Sequence, residues 1–343
     1  MTKKNIYLAV PVFFLLFLCT SVGLTAKTVP LPELKRAEAI AVDGNRLYIS
    51  EGPQVYIYSL ENCKLQKVFG RKGEGPGEFK MHTYRGLKLH VNPGYLIVDS
   101  YGRLSFFTKD GTFKHETRTI PSMGKYVSLG DGYVGLGFRR YNKVNHFTIT
   151  LFASDFKSKQ EIYRFKHPYQ PGKDYNPLET TKLPAYDTWD NKLYLSGEGA
   201  GILVFDRQGK PLDPIRFNYK KVKLTKKRKD YYITWYKTDP KFNPIYRRDK
   251  QRIKFPGYFP VIRDFLIADG KIYVVTYRIK DDKNELVVLN LKGKLQHQAF
   301  VPLQEENAFR LFPYAIKKGM LYQVIEKEEE EMWELRIHRV SPL

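Results

Sequence analysis

A short phrase recurs six times along this chain of 343 residues, and the repeat restricts the fold more than any other feature. Each copy joins a turn that contains Gly or Asn to a following run of apolar residues, which often includes Tyr. The copies occupy residues 43–49, 93–98, 131–136, 190–195, 269–274 and 318–322. Self-similarity along a whole chain is the signature of repeat architectures such as propellers and solenoids.

Further strand patterns flank each copy. An apolar stretch such as 37–42 precedes the phrase, and an alternating run such as 55–58 follows it. Several of these runs end in a second turn with Gly, as at 109–111 and 291–293. Turn signals between alternating apolar runs predict β-hairpins, and a succession of strands and turns fills one four-stranded blade. The sequence therefore predicts an all-β, six-bladed β-propeller, with an irregular β-sandwich as the alternative.

The spacing of the copies is uneven and predicts one insertion. Between Leu193 and Ile272 the gap exceeds the usual blade length of about 40–50 residues, and no further copy of the phrase occurs there. We expect an insertion at about 213–258, between the fourth and fifth blades. The last blade, 311–340, shows about three strands, so we expect a strand from 28–31 to complete it. Such a strand would join the two ends of the chain and remove an open sheet edge.

The insertion carries the strongest charge bias of the chain, with 15 Lys or Arg and 3 Asp between residues 216 and 254. Its centre, 224–236, is predicted to form a short helix capped by Thr225. Basic residues interleaved with aromatic residues are typical of elements that contact membrane surfaces or anions. A solvated flap is the alternative, since charge runs are commonly solvated. The candidates for contact with an anionic surface are Lys226, Lys227, Arg228, Lys229 and Trp235.

The N-terminus indicates export. Lys3 and Lys4 precede an apolar run over 6–18, and small residues follow, as in a signal peptide. The run is shorter than the about 20 residues of a membrane span, which favours a cleaved signal peptide. A retained membrane anchor is the alternative. We expect a signal peptide at 1–26 and a periplasmic or extracellular propeller at 27–343. Cys19 closes the apolar run, which leaves open both its lipidation, with membrane attachment, and its removal with the signal.

Charge and cysteine content restrict the partners and the redox chemistry. The formal net charge of +22 favours anionic partners, namely phospholipid headgroups, acidic glycans or nucleic acid. Export makes nucleic acid the weakest of these, and we expect none. A soluble basic protein without a specific anion is the alternative. Without the signal, Cys63 is the only cysteine, so no disulfide can form within the mature chain.

Two segments suggest a known group. Residues 69–79 read FGRKGEGPGEF, and residues 98–107 read VDSYGRLSFF. The first resembles the Gly-Pro-Gly-Glu-Phe loop of bacterial six-bladed propellers of the NHL-repeat type, and the second resembles the core of an NHL repeat. The resemblance covers blades one and two, implies a propeller, and places function at the channel mouth or on a flat face. It implies no single activity. The glycine-rich loop lacks the following helix of a phosphate-binding loop, which favours a structural connection between blades.

Polar and aromatic residues precede the first strand of several blades, where a propeller has its channel entrance. Aromatic and Arg side chains at such a mouth suit recognition of a peptide, a glycan or another anionic group. Packing of blade against blade is an equal alternative. The candidate ligand-binding residues are Tyr84, Arg85, Asp99, Tyr186, Asp187, Tyr258, Arg263 and Tyr314.

Signals for catalysis are absent from the sequence. Candidate carboxylates such as Asp99 and Asp187 occur singly, no His pair has zinc-type spacing, and no Gly-x-Ser-x-Gly motif occurs. We therefore assign no catalytic residue, metal ligand or cofactor. The sequence favours an exported, non-catalytic propeller that binds a ligand, peptide, anionic glycan or protein. The alternatives are a metal-dependent enzyme of the lactonase or lyase type in the channel and a docking scaffold at a membrane surface.

Overall fold

The computed structural model describes residues 26–82, 85–157, 159–180, 183–197 and 201–340. The expected signal segment up to residue 25, with Cys19, lies outside these ranges, as does Tyr84. Within them, the strands form six antiparallel sheets of four strands each. The chain is therefore an all-β, six-bladed propeller, as the sixfold repeat predicts.

The strands follow one another in chain order within blades one to five, and blade six adds the N-terminal strand to its three C-terminal strands. The N-terminal strand β1 is Lys27–Pro30. Blade one comprises β2 Ala39–Asp43, β3 Arg46–Glu51, β4 Gln54–Ser59 and β5 Leu65–Phe69. Blade two comprises β6 Lys88–Val91, β7 Leu96–Asp99, β8 Arg103–Phe107 and β9 Phe113–Arg118. Blade three comprises β10 Val127–Leu129, β11 Gly132–Tyr141, β12 Val144–Phe152 and β13 Lys159–Lys166. Blade four comprises β14 Tyr186–Trp189, β15 Lys192–Ser196, β16 Gly201–Phe205 and β17 Pro211–Arg216. Blade five comprises β18 Asp264–Ala268, β19 Lys271–Lys280, β20 Lys283–Asn290 and β21 Leu295–Val301. Blade six contains β22 Tyr314–Lys317, β23 Met320–Lys327 and β24 Met332–Arg339.

The recurring turn phrase forms the hairpin between the first two strands of each blade. Asp269 and Gly270 have φ of 53° and 68°, and Asp190 and Asn191 have φ of 48° and 55°. Two successive residues with positive φ match the twist of a tight hairpin, and Asp, Asn and Gly adopt that conformation most readily. Paired positive φ values occur at 190–191, 269–270 and 318–319, which explains the Asp, Asn and Gly residues at these turns.

The core consists of apolar layers between neighbouring blades. The second and third strands of a blade are buried on both faces, as in β4, where residues 55–59 are all buried. Blades one and two share one such layer, in which Ile57 and Val98 are almost fully buried. Outer strands such as β5 are largely exposed. Each blade is thus stabilised by apolar contact with its neighbours rather than by a core of its own.

The N-terminal strand closes the ring. β1 pairs with β24 in antiparallel register, with Val29 opposite Leu335, and so supplies the fourth strand of blade six. The pairing continues where the Leu31 amide donates to the Trp333 carbonyl at 2.7 Å. Leu31 is 1% exposed in the layer between blades six and one. The predicted closing strand at 28–31 is therefore confirmed, shifted by one residue.

The insertion is helical and packed. After the short α1 Pro177–Thr180, it contributes α2 Lys226–Thr238, α3 Asn243–Asp249 and a 3-10 turn at Lys250–Arg252. Thr225 caps α2, because its hydroxyl accepts the amide of Arg228 at 3.4 Å. Ile215 is buried between blades four and five, so residues 213–216 of the expected insertion belong to β17. No helix in the described ranges is long and apolar enough to cross a membrane.

A small apolar core fastens this insertion to the propeller. Tyr232 of α2 is 1% exposed and lies 4.8 Å, between ring centroids, from Phe309 of the connection between blades five and six. Leu178 of α1 belongs to the same cluster. The buried Asp249 accepts hydrogen bonds from Tyr169 at 3.1 Å and from Arg252 at 3.0 Å. We call residues 167–180, 183–185 and 217–263 the cap.

Candidate functional site

The topology separates two faces of the propeller. The first strands of neighbouring blades contact one another, as β2 contacts β6 and β22, so they surround the central channel. Every blade has four antiparallel strands. The outer strand of one blade therefore ends at the same face of the propeller at which the first strand of the next blade begins. The connections between blades, and with them the cap, therefore share one face, which we call the loop face. Of the expected ligand residues, Arg85, Tyr258 and Arg263 precede first strands, Tyr186, Asp187 and Tyr314 begin first strands, and Asp99 ends a second strand.

The central channel contains a cavity of about 730 Å³. It is lined by first-strand residues, including Asp187 and Tyr314 of the sequence candidates, together with Lys125, His90 and Ser128. Volumes of about 300–1,000 Å³ are usual for ligand pockets. Lys125, His90 and Ser128 are not among the residues that the sequence predicts. The alternation of polar and apolar residues in 88–92 is a signal for His90, whereas no comparable signal marks Lys125 or Ser128.

The candidates in the channel are engaged with neighbouring blades. One carboxylate oxygen of Asp187 accepts the amide of Ile267 at 3.0 Å, and the other lies 3.5 Å from Lys125 Nζ. Tyr314 donates its hydroxyl to Asp264 at 2.9 Å. Burial raises the pKa of the Tyr314 hydroxyl well above its ordinary value, so it remains a donor. Tyr186 likewise donates to the main-chain oxygen of Lys125. Three of the candidates therefore connect blades.

A histidine and a serine meet inside the channel. His90 Nε2 lies 3.2 Å from Ser128 Oγ, and the Ser128 amide donates to the same nitrogen at 3.2 Å. Asn92 donates to Ser128 Oγ at 3.2 Å. Burial lowers the pKa of His90 to about 3, so the imidazole is neutral near pH 7. A base this weak has little capacity to activate the hydroxyl, and the group serves as a connection between blades two and three.

Asp99 is buried beside two cations between blades two and three. It is 6% exposed, and its Oδ2 atom has no hydrogen-bond partner among the described residues. Burial raises its pKa to about 6, an effect that Lys88 opposes. Lys88 Nζ donates to the carbonyls of Ser122, Met123 and Gly124 at 2.7–3.0 Å, and Arg85 donates to that of Ser122 at 3.2 Å. Both cations are thus anchored on one loop.

Replacing Asp99 is expected to change the pH dependence of stability. Since the folded state raises this pKa from 3.8 to about 6, the folded protein binds the proton more tightly, and ionisation lowers stability as the pH rises from about 4 to about 6. Asp99→Asn removes this loss, about 3 kcal/mol by linkage. Urea unfolding of the wild type and of Asp99→Asn at pH 4 and pH 7 measures the corresponding free energies of unfolding. If the free energy of unfolding changes between pH 4 and pH 7 by the same amount in Asp99→Asn as in the wild type, Asp99 is not the group that causes the change.

The remaining candidates are divided between the core and the surface. Arg263 is 4% exposed and pairs with Glu305 at 2.9 Å, so it belongs to the core. Arg228 reaches the same Glu305 oxygen at 3.1 Å. Trp235 packs between Phe242 and Phe309 at ring distances of 4.9 Å. Lys229 is half-buried, and Lys226 and Lys227 are exposed.

Tyr258 is the most exposed of the candidate aromatic residues that the structure describes, and it lies in a second, separate groove. This groove has a volume of about 570 Å³ and lies between blades three and four and the cap. Tyr258 is 52% exposed, and Leu183, which also lines the groove, is 38% exposed. The groove walls come from segments far apart in sequence, which is why the sequence predicts Tyr258 but not its neighbours. We call this the cap groove.

Neither metal-binding nor phosphate-binding geometry is present in the described ranges. No group of three or more His, Cys, Asp or Glu side chains converges there, although the lactonase-like alternative requires such a ligand set. The glycine-rich loop is filled by its own carboxylate, since Glu78 accepts the amide of Gly75 at 2.8 Å. Arg103 of blade two donates to the carbonyl of Glu74 at 2.9 Å. The loop is therefore a connection between blades.

These features define the class of protein: a six-bladed β-propeller that is closed by its N-terminal strand and carries a helical cap on the loop face. No protein-family model matches the sequence, and no curated protein matches it. The chain is similar to a crystal structure of a member of the DUF4221 family from Bacteroides vulgatus, with 12% identity over 92% of this chain and 97% of that chain and a TM-score of 0.48. It is also similar to a crystal structure of BamB from Moraxella catarrhalis, with 10% identity over 91% of this chain and 98% of that chain and a TM-score of 0.39.

Proposed function

We propose that the protein is an exported, non-catalytic propeller of the NHL-like kind that binds a protein partner on its loop face. The observation that carries this proposal is the cap groove, an open apolar cleft flanked by the exposed side chains of Tyr258 and Leu183. Interface centres are enriched in aromatic residues, and a large exposed aromatic residue beside an apolar cleft is typical of a binding surface.

The channel supports a binding role less well than the groove. Asp187, Tyr314 and Tyr186 direct their polar atoms to neighbouring blades, so a ligand would have to displace contacts that join the ring. The ring of Tyr258, in contrast, is half-exposed and lies 5.9 Å from the Lys221 ammonium. Its exposed surface can therefore be buried by a partner without breaking the fold.

The proposal of export is compatible with the position of β1. A signal peptide that ends at residue 26 leaves all four residues of the closing strand, Lys27–Pro30, in the mature protein. Cleavage even a few residues later would remove part of the pairing with β24. Edman sequencing or intact mass of the exported protein measures this boundary directly.

Site-specific photo-crosslinking tests the binding proposal. We expect a photoreactive amino acid at position 258, incorporated in the producing cell, to form an adduct with a protein partner. The matched control is position 231, where Tyr231 is 41% exposed on α2 outside the groove. The adduct at 258 should be lost when Leu183→Asp places a charge in the cleft. Adducts of equal yield at both positions, or an adduct at 258 that Leu183→Asp does not affect, would show that the groove is not the binding site.

A further inference from the structure

The walls of the cap groove are aromatic and proline-rich. Blade three contributes Tyr163 and Phe165, and the cap contributes Pro256, Tyr258 and Pro260. Phe165 packs against Phe147 with ring centroids 5.5 Å apart, and Tyr163 packs against Phe205 at 5.6 Å. These rings are held from behind and present rigid apolar surface to the groove. Rigid aromatic walls lose little conformational entropy on binding.

Polar groups with unused hydrogen-bonding capacity lie along the same walls. The Asn176 side-chain oxygen accepts the amide of Leu178 at 3.1 Å, and its NH₂ group has no hydrogen-bond partner within the described ranges. Ser196 also lines the groove and is half-buried. A peptide main chain can pair with such donors and acceptors, whereas an acyl chain would desolvate them without compensation, which is unfavourable.

The charges at the groove favour an acidic occupant. Lys166 and Lys221 line it, and neither has an ion pair with any residue in the described ranges. Within the described ranges, Glu179 is the one acidic residue that lines the groove. The cap behind Lys221 belongs to the most basic part of the chain, with 15 Lys or Arg and 3 Asp between 216 and 254. A potential of this sign attracts an anionic segment and raises its rate of association.

From this combination, and resting on the proposed function, we infer that the cap groove binds an extended acidic peptide segment of the partner. The segment carries an aromatic or large aliphatic side chain flanked by carboxylates. Its apolar side chain lies in the cleft between Tyr258 and Leu183, and its carboxylates pair with Lys166 and Lys221. Aromatic, proline-lined grooves are a recurring mode of recognition for extended peptides.

Fluorescence polarisation with three labelled peptides of equal length tests the inference on the purified mature protein. The first places one Trp among Asp and Glu residues, the second replaces Trp by Ser, and the third replaces the acids by Asn and Gln. We expect the first peptide to bind at least about tenfold more tightly than the other two, since truncating a central aromatic contact typically costs more than a factor of ten. Rising salt should weaken its binding.

Matched variants locate the binding. Tyr258→Ala and Lys221→Glu should each weaken binding of the first peptide about tenfold, whereas Tyr231→Ala and Lys227→Glu, exposed outside the groove, should leave it unchanged. Equal binding of the three peptides, or equal effects of groove and control variants, would overturn the inference. So would binding of anionic phosphatidylglycerol vesicles, or self-association of the chain, with the same dependence on Tyr258. A crosslink at 258 without peptide binding would reject this peptide chemistry and leave the proposed function in place.

Discussion

Deletion of residues 27–31 is expected to abolish cooperative folding of the propeller. β1 supplies the fourth strand of blade six, and without it β24 has an unpaired edge. Leu31 is 1% exposed, and loss of a buried leucine side chain alone costs about 2–5 kcal/mol. Whole domains are stabilised by about 5–15 kcal/mol. The loss of this residue together with a strand pairing therefore removes a large part of the stability.

Urea unfolding monitored by circular dichroism measures the effect. Leu31→Ala should lower the unfolding free energy by about 2–5 kcal/mol. Leu212→Ala, at a leucine that is 40% exposed on the outer strand of blade four, should change it by less than about 0.5 kcal/mol. A synthetic peptide of residues 26–35 added to the truncated chain should restore part of the transition. If the truncated chain unfolds with the midpoint of the full-length protein, β1 does not close the ring.

The architecture could be predicted because short sequence patterns determine its strands and turns. Turns such as Asp269-Gly270 need positive φ, and only a few residue types provide it, so most of the blades carry a similar signal. The closing strand could be predicted because the last blade lacks one strand in sequence. The helix α2 could be predicted because Thr225 is a typical N-cap before a run of good helix formers.

The site could be predicted only in part, because the direction of a side chain depends on neighbours far away in sequence. Asp187 accepts the amide of a residue 80 positions later, and Tyr314 donates to one 50 positions earlier. Nothing near either residue in sequence shows these partners. The cap groove has the same origin, since blade three and the cap supply its walls. Among the described ligand-binding candidates, Tyr258 is exposed beside a cleft, and the sequence indicates the residue but not the cleft.

Arg263 is the candidate whose replacement is expected to cost the most stability. Its guanidinium donates to Asn284 at 2.9 Å and pairs with Glu305 at 2.9 Å, and it lies over the Tyr277 ring at 5.6 Å. Asn284 in turn donates to the Leu303 carbonyl. This buried network joins the start of blade five to the connection that leads to blade six. Arg263→Ala leaves polar groups buried without their partner, which typically costs about 3–5 kcal/mol.

A double comparison separates this structural role from ligand binding. Arg263→Lys should recover little of the loss, because one ammonium cannot reproduce the planar fork that reaches Asn284 and Glu305 together. Arg228→Ala removes the more exposed partner of the same Glu305 oxygen and should cost only about 1 kcal/mol. Denaturant unfolding of the three variants measures these differences. If Arg263→Ala unfolds like the wild type but no longer gives the adduct at position 258, Arg263 acts in partner binding, and the network does not hold the start of blade five to the connection that leads to blade six.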